Sequence, residues 1–201
     1  MKFSNNNTIP YKGFVSREDR NKSYGHKSGV IWFTGLPASG KSTIAHTLEK
    51  VLFDHGIKVY ILDGDNIRRG LNADLGFSPD ERRENLRRIS EVAKLFVDAG
   101  IILLAAFVSP YRKDREFIKE KIGKEDFIEV YVKCPVDICE KRDPKGMYLK
   151  AKSGIIKNYT GVSAPYEEPE SPDLVVETDK LSIKEAVQKV LNYLREKGWI
   201  K

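Results

Sequence analysis

Apolar residues in this chain gather in short, nearly unbroken runs separated by longer mixed stretches. The runs are Val30–Thr34, Lys58–Leu62, Ile101–Phe107, Ile128–Lys133 and Leu174–Glu177. Between and after them lie segments long enough for helices: Ser42–His55, Asp80–Ala99, Tyr111–Ile122, Val136–Arg142 and Ser182–Lys197. Continuous apolar strands suit burial on two sides. Their alternation with helices predicts an α/β fold, a parallel five-stranded sheet with helices on both faces. Residues 1–28 break the pattern: polar and rich in Asn and Ser, they read as an irregular arm ahead of one domain over 29–201. Pro165, Pro169 and Pro172 mark an irregular connection before the last strand.

The helical periodicity of 80–99 carries a second message. At about 100° per residue, Arg82, Asn85, Leu86, Ile89, Ala93, Phe96 and Val97 share one face, while Arg83, Glu84, Arg87, Glu91, Lys94 and Asp98 take the others. Arg82 and Asn85 therefore prolong the buried stripe. An inward arginine is costly without a partner. That partner is either a bound anion or an internal acid such as Asp63 or Asp65.

Composition changes the picture little. The chain has 201 residues, 40% of them hydrophobic and 32% charged, enough for one good core. The longest apolar stretch, Ala99–Val108, is about half of the ~20 residues that cross a bilayer. The N-terminus has no apolar signal-like region, so a cytoplasmic protein without membrane attachment is expected. The two cysteines, Cys134 and Cys139, lack metal-site spacing and read as reduced core thiols. The net charge of +6 comes with no long Lys/Arg block or interleaved aromatics, so nucleic acid is not expected as a partner. The charge is instead concentrated: Lys141, Arg142, Lys145, Lys150, Lys152 and Lys157 face only Asp143, with Gly146 and Gly154 among them. That segment reads as a mobile, anion-gripping lid.

The chemistry-bearing signal is GLPASGKST, in full Gly35, Leu36, Pro37, Ala38, Ser39, Gly40, Lys41, Ser42 and Thr43, directly after the first strand and before a helix. Strand, loop and helix in that order make it a phosphate loop. Its glycines let successive N–H groups converge on phosphate oxygens. Lys41 is expected to reach the β- and γ-phosphates of ATP, and Ser42 to join the Mg²⁺ shell. No Asn-Lys-x-Asp guanine-reading motif is present, and the chain is short for a motor ATPase. A small phosphoryl-transfer kinase remains. Asp63, at the end of the second strand, would serve the metal or the acceptor hydroxyl, or cap the following helix; Asp65 has the same alternatives. Arg68 and Arg82 together point to an acceptor that is itself anionic, and Phe77 offers a ring to a base.

The segments WFTGLPASGKST, LDGDNIRRGLNADLGFSPDERRENLRRISEVAKLF, AFVSPYRKDR, CEKRDPKGMYLKAKSGIIKNYTGVSAPYE and GFVSREDR resemble the adenylylsulfate kinase family over nearly the whole chain. The resemblance implies a P-loop kinase fold, transfer of the ATP γ-phosphate to the 3′-hydroxyl of adenosine 5′-phosphosulfate (APS), and a homodimer. It implies that Asp63 orients Mg²⁺ and the attacking hydroxyl. Asp65, Arg68, Arg82 and Asn85 would hold APS, with Phe77 and Tyr159 sandwiching its adenine and Val108 and Ser109 lining the pocket. Tyr159 departs from the Phe of many members but keeps a stacking face. The resemblance also offers Ser109 as a phosphoenzyme; a serine without an adjacent base is a weak nucleophile, so substrate contact is the reading adopted. Residues 142–161 would be the lid, with Arg142 over the ATP adenine and Lys145, Lys157 and Asn158 closing on the phosphates and APS. Leu181 would pack on the ATP base. Two alternatives are a kinase for another small acceptor, such as a nucleoside monophosphate, and a nucleotide-binding module without turnover.

Overall fold

The structure is a computed structural model that describes residue 11 and residues 13–201. Five strands, β1 (Gly29–Thr34), β2 (Val59–Asp63), β3 (Ile102–Ala106), β4 (Phe127–Lys133) and β5 (Leu174–Glu177), form an all-parallel sheet in the order β2-β3-β1-β4-β5. Eight α-helices accompany them among the described residues: α1 (Arg17–Tyr24), α2 (Lys41–Asp54), α3 (Gly64–Ile67), α4 (Pro79–Asp98), α5 (Arg112–Ile122), α6 (Val136–Arg142), α7 (Met147–Lys152) and α8 (Ile183–Glu196). Every expected strand is present, with ends shifted by a residue or so.

Central strand β1 shows why the runs are unbroken. All six of its residues are buried. Alternate side chains point to opposite faces, so Ile31 and Phe33 enter a core with α2 and α8 residues such as Leu48 and Leu194. Val30 and Trp32 enter a second core with Leu86, Ile89 and Ile118 of α4 and α5. Order β2-β3-β1-β4-β5 reverses direction beside β1. Such a switch point opens a crevice at the strand C-termini, where the phosphate loop follows β1 and Asp63 ends β2.

One expectation needs correction. The arm over 1–28 is not irregular in its described part. Residues 17–24 form α1, capped by reciprocal Ser16–Asp19 hydrogen bonds. Arg17 clamps the helix to the domain through Asp126 at 2.6 Å and Ser28 at 2.7 Å. Positions 1–10 and 12 of that arm lie outside the described residues. The 142–161 segment contains α7, and Tyr148 on that helix is buried.

Candidate active site

The phosphate loop is locked by backbone requirements. Gly35 has φ 153°, and a Cβ there would stand 2.4 Å from the Val132 carbonyl oxygen and 2.9 Å from Ser39 Oγ. No other residue fits. Gly40, at φ 101°, is the N-cap of α2 and leaves the helix's first N–H groups facing the loop. Lys41 is buried, and its ammonium donates to Gly35 O at 2.9 Å and Leu36 O at 2.6 Å. Burial lowers its pKa from 10.5 to about 8. Its charge is thus held by neutral carbonyls, ready for a stronger counterion.

Asp63 caps the following helix and also meets the phosphate loop. Its Oδ1 accepts from the Asp65 N–H at 3.0 Å and caps α3, while Oδ2 accepts from Ser42 Oγ at 2.6 Å. The hydroxyl of the phosphate loop and the strand-end carboxylate therefore meet. Asp65 turns outward to pair with Lys145 of the 142–161 segment. It also lies within charge-interaction range of Lys41, Arg68 and Tyr159. That segment, the phosphate loop and the end of β2 thus converge.

The acceptor side is built around Phe77. A capping box at the start of α4 sets it: Glu81 accepts from Ser78 N, Ser78 Oγ and Gly76 N, fixing the turn on which Phe77 stands. The Phe77 ring is 56% exposed. The Arg68 guanidinium lies 4.3 Å from its centre and that of Arg82 5.7 Å. Both arginines are half-buried, and both bond only neutral groups. Arg68 donates to Leu75 O (3.2 Å) and Gly76 O (2.8 Å). Arg82 donates to Phe77 O, to Asn158 O (both 2.9 Å) and to Thr160 Oγ1 at 3.4 Å. Neither forms a salt bridge among the described residues. Asp63 and Asp65 are therefore not the partners of Arg82. Burial depresses both pKa values, and the neighbouring Arg82 charge depresses that of Arg68 further. The pocket is short of negative charge.

The remaining predicted residues divide. Asn158 is brought to Arg82, and Tyr159 packs edge-on to Tyr148 with centroids 5.1 Å apart. Asn85 is buried beneath the site, where its Oδ1 accepts from Asn72 Nδ2 at 2.9 Å. Ser109 is 3% exposed, and its Oγ accepts from Trp32 Nε1 at 3.0 Å. That hydroxyl holds a core indole, which suits a structural anchor more than a nucleophile. Val108 is half-buried, and its carbonyl accepts from Thr34 Oγ1 at 2.8 Å. Arg142 donates to Thr178 O at 2.6 Å and Oγ1 at 3.0 Å; that hydroxyl donates to Ser39 O at 2.7 Å. Lys157 is exposed. Leu181 packs against the α2/α8 core. Cys134 and Cys139 are free and buried, and burial raises the pKa of Cys139, which lies within charge-interaction range of Lys41, so its thiol is held protonated and inert.

Sequence reasoning missed Thr178, Tyr148, Thr160 and Glu81. Only Glu81 had a local signal, the Ser-x-x-Glu spacing of a capping box. The others act across long sequence separations.

Residues 27–177 match the family model described as adenylylsulphate kinase. The adenylyl-sulfate kinase of Thermodesulfovibrio yellowstonii is 60% identical over 197 residues, 98% of each chain. Among solved structures, the Mycobacterium tuberculosis APS kinase in complex with AMPPNP and APS superposes with a TM-score of 0.82. It is 45% identical, over 85% of this chain and 99% of that one. The hexameric APS kinase from Thiobacillus denitrificans has a TM-score of 0.67 and 32% identity, over 88% of this chain and 30% of that one.

Proposed function

The chain belongs to the adenylylsulphate kinase family, and from that premise we propose how its residues share the reaction. It is an ATP-dependent phosphotransferase that passes the γ-phosphate of ATP to the 3′-hydroxyl of APS, giving PAPS and ADP in sulfate assimilation. The nucleotide phosphates lie on the Gly35–Thr43 loop and the N-terminus of α2, with Lys41 turning from its carbonyls to the β- and γ-phosphates. Arg142 and Leu181 sit by the ATP base. Arg68 and Arg82 take the phosphosulfate of APS, and its adenine stacks on Phe77 and Tyr159. Asp65, Asn85, Val108, Ser109, Lys145, Lys157 and Asn158 complete the acceptor pocket.

Ser42 Oγ and Asp63 Oδ2, 2.6 Å apart, are two hard oxygen donors at the meeting point of loop and strand. They fit a Mg²⁺ ion, which needs few protein ligands when it also rides on phosphates. Such an ion, when bound, neutralises charge on the transferring phosphoryl group. Asp63 orients the 3′-hydroxyl and takes its proton. The lid excludes water, the competing acceptor. We further propose a cytoplasmic homodimer; sedimentation of the purified chain separates a dimer from a hexamer like the T. denitrificans relative.

One observation carries the acceptor assignment: two half-buried guanidiniums flank an exposed ring and have no carboxylate partner. A coupled assay with ATP, Mg²⁺ and either APS, AMP, CMP or gluconate tests it. APS is expected to be preferred by a wide margin, and a preference for any of the others would reject the assignment.

A further inference from the structure

Tyr148 belongs to none of the roles above, yet it joins the two halves of the site. It lies on α7 in the lid and is 1% exposed. Its hydroxyl donates to the Pro37 carbonyl of the phosphate loop at 3.0 Å. Its ring meets Tyr159 edge-on at 5.1 Å and an interplanar angle of 80°. Leu36, Ala38, Cys134 and Cys139 pack around this pair in a small cluster of their own.

The peptide that Tyr148 grips is an unusual one. Ala38, the next residue, has φ 60°, a left-handed conformation that a non-glycine residue holds only when its surroundings enforce it. A trans peptide directs its C=O and the following N–H to opposite sides. With the Pro37 carbonyl turned toward the lid, the Ala38 N–H is turned away from it. That N–H has no acceptor among the described residues. Pro37 itself has no N–H to offer, so the Ala38 N–H is the donor that this turn of the loop holds free for a phosphate oxygen.

On the reading of the site given above, we infer that Tyr148 is a positioning residue: its hydroxyl sets the Pro37–Ala38 peptide for phosphate, and its ring ties that setting to Tyr159 on the acceptor side. Burial raises the phenol's pKa, which keeps the hydroxyl a donor throughout the working pH range. The ring and the hydroxyl act on different substrates. The hydroxyl supports the nucleotide, and the ring supports the acceptor's base through Tyr159.

The two roles separate in Tyr148→Phe and Tyr148→Leu. The Phe variant keeps the ring and loses only the hydrogen bond, a neutral bond of ordinary strength, so the Kd for AMPPNP by titration calorimetry is expected to rise about five- to tenfold. Its KM for APS is expected to stay within about twofold of the original. The Leu variant also strips the ring from Tyr159 and is expected to raise both constants. A packing role alone would leave Tyr148→Phe indistinguishable from the parent. An AMPPNP Kd within twofold of the parent overturns the inference, as does an APS KM that rises as much as the nucleotide Kd. The Phe variant decides the matter even if the Leu variant does not fold. A parent protein that bound AMPPNP but ignored APS would defeat the acceptor assignment instead, leaving the nucleotide titration readable.

Discussion

Two regions of this molecule withdraw guanidinium groups from water, and they treat them oppositely. Under the loop after β3, Arg115 is fully enclosed, with Nε 2.8 Å from Glu129 Oε1. Its other nitrogens donate to Ser109 O and Glu167 O, both at 2.7 Å. Each of its three nitrogens has an oxygen within 2.8 Å, and the charge has a carboxylate. Around Phe77, Arg68 and Arg82 are half-buried with only carbonyl and hydroxyl partners. Carbonyl dipoles orient a guanidinium but do not cancel its charge. A cation supplied with its own acid holds a fold together, whereas on the proposed reading one supplied only with dipoles is kept for an anion that arrives. Lys41, on carbonyls of its own loop, belongs with the second group. Asp63, on a hydroxyl and an N–H, is its acidic counterpart.

The contrast breaks most visibly at Arg115. Arg115→Ala leaves Glu129 buried and unpaired, and the cost is expected to be about 3–5 kcal/mol of stability in urea unfolding. Burial already pushes the Glu129 pKa up, so the orphaned carboxyl of the variant is expected to protonate more readily still. A loss below about 1 kcal/mol would mean that the pair is not structural.

Asp63→Asn tests the other class without disturbing the fold, since Asn caps helices as well as Asp. Here kcat is expected to fall about 10³-fold with an almost unchanged melting temperature. Near-normal turnover would remove Asp63 from the chemistry.

Arg82→Ala comes next. Losing charge-assisted contacts of about 1.5–3 kcal/mol should raise the KM for APS roughly ten- to a hundredfold and leave nucleotide affinity nearly unaltered. Equal losses toward both substrates would assign Arg82 to general lid packing.

The smallest effect is a pH dependence. The folded Lys41 pKa of about 8 lies below its ordinary 10.5. Between those values the unfolded chain binds more protons, so this group makes the ligand-free fold more stable as pH rises through the window. A phosphate favours the charged amine, so AMPPNP binding is expected to take up part of a proton above about pH 8 and to weaken as pH climbs. Calorimetry in two buffers of different ionisation enthalpy reads that uptake, and Lys41→Met is expected to abolish it.

How much of this was legible in the sequence follows from distance along the chain. The strands, the helices and the phosphate loop each depend on residues close together in sequence: an apolar run, a periodic stripe, a Gly-x₄-Gly-Lys-Ser spacing. Asp63 was legible too, because the end of an apolar run marks a strand terminus. Helix α1 escaped because it buries none of its own residues and so shows no stripe; its signal was the Ser16–Asp19 cap. The buried face of α4 was readable, but which partner Arg82 takes was not. That choice rests on Asn158 and Thr160, more than seventy positions away. The same holds for Tyr148 against Pro37 and for Arg17 against Asp126. By itself the sequence determined the five strands, the helices between and after them that carry a periodic stripe, the nucleotide loop and the sign of the pocket's charge, since local sterics and periodicity act within a few residues. Only the tertiary structure decided which charges are neutralised and which are left open, because pairing depends on side chains that the folded sheet and lid carry together in space.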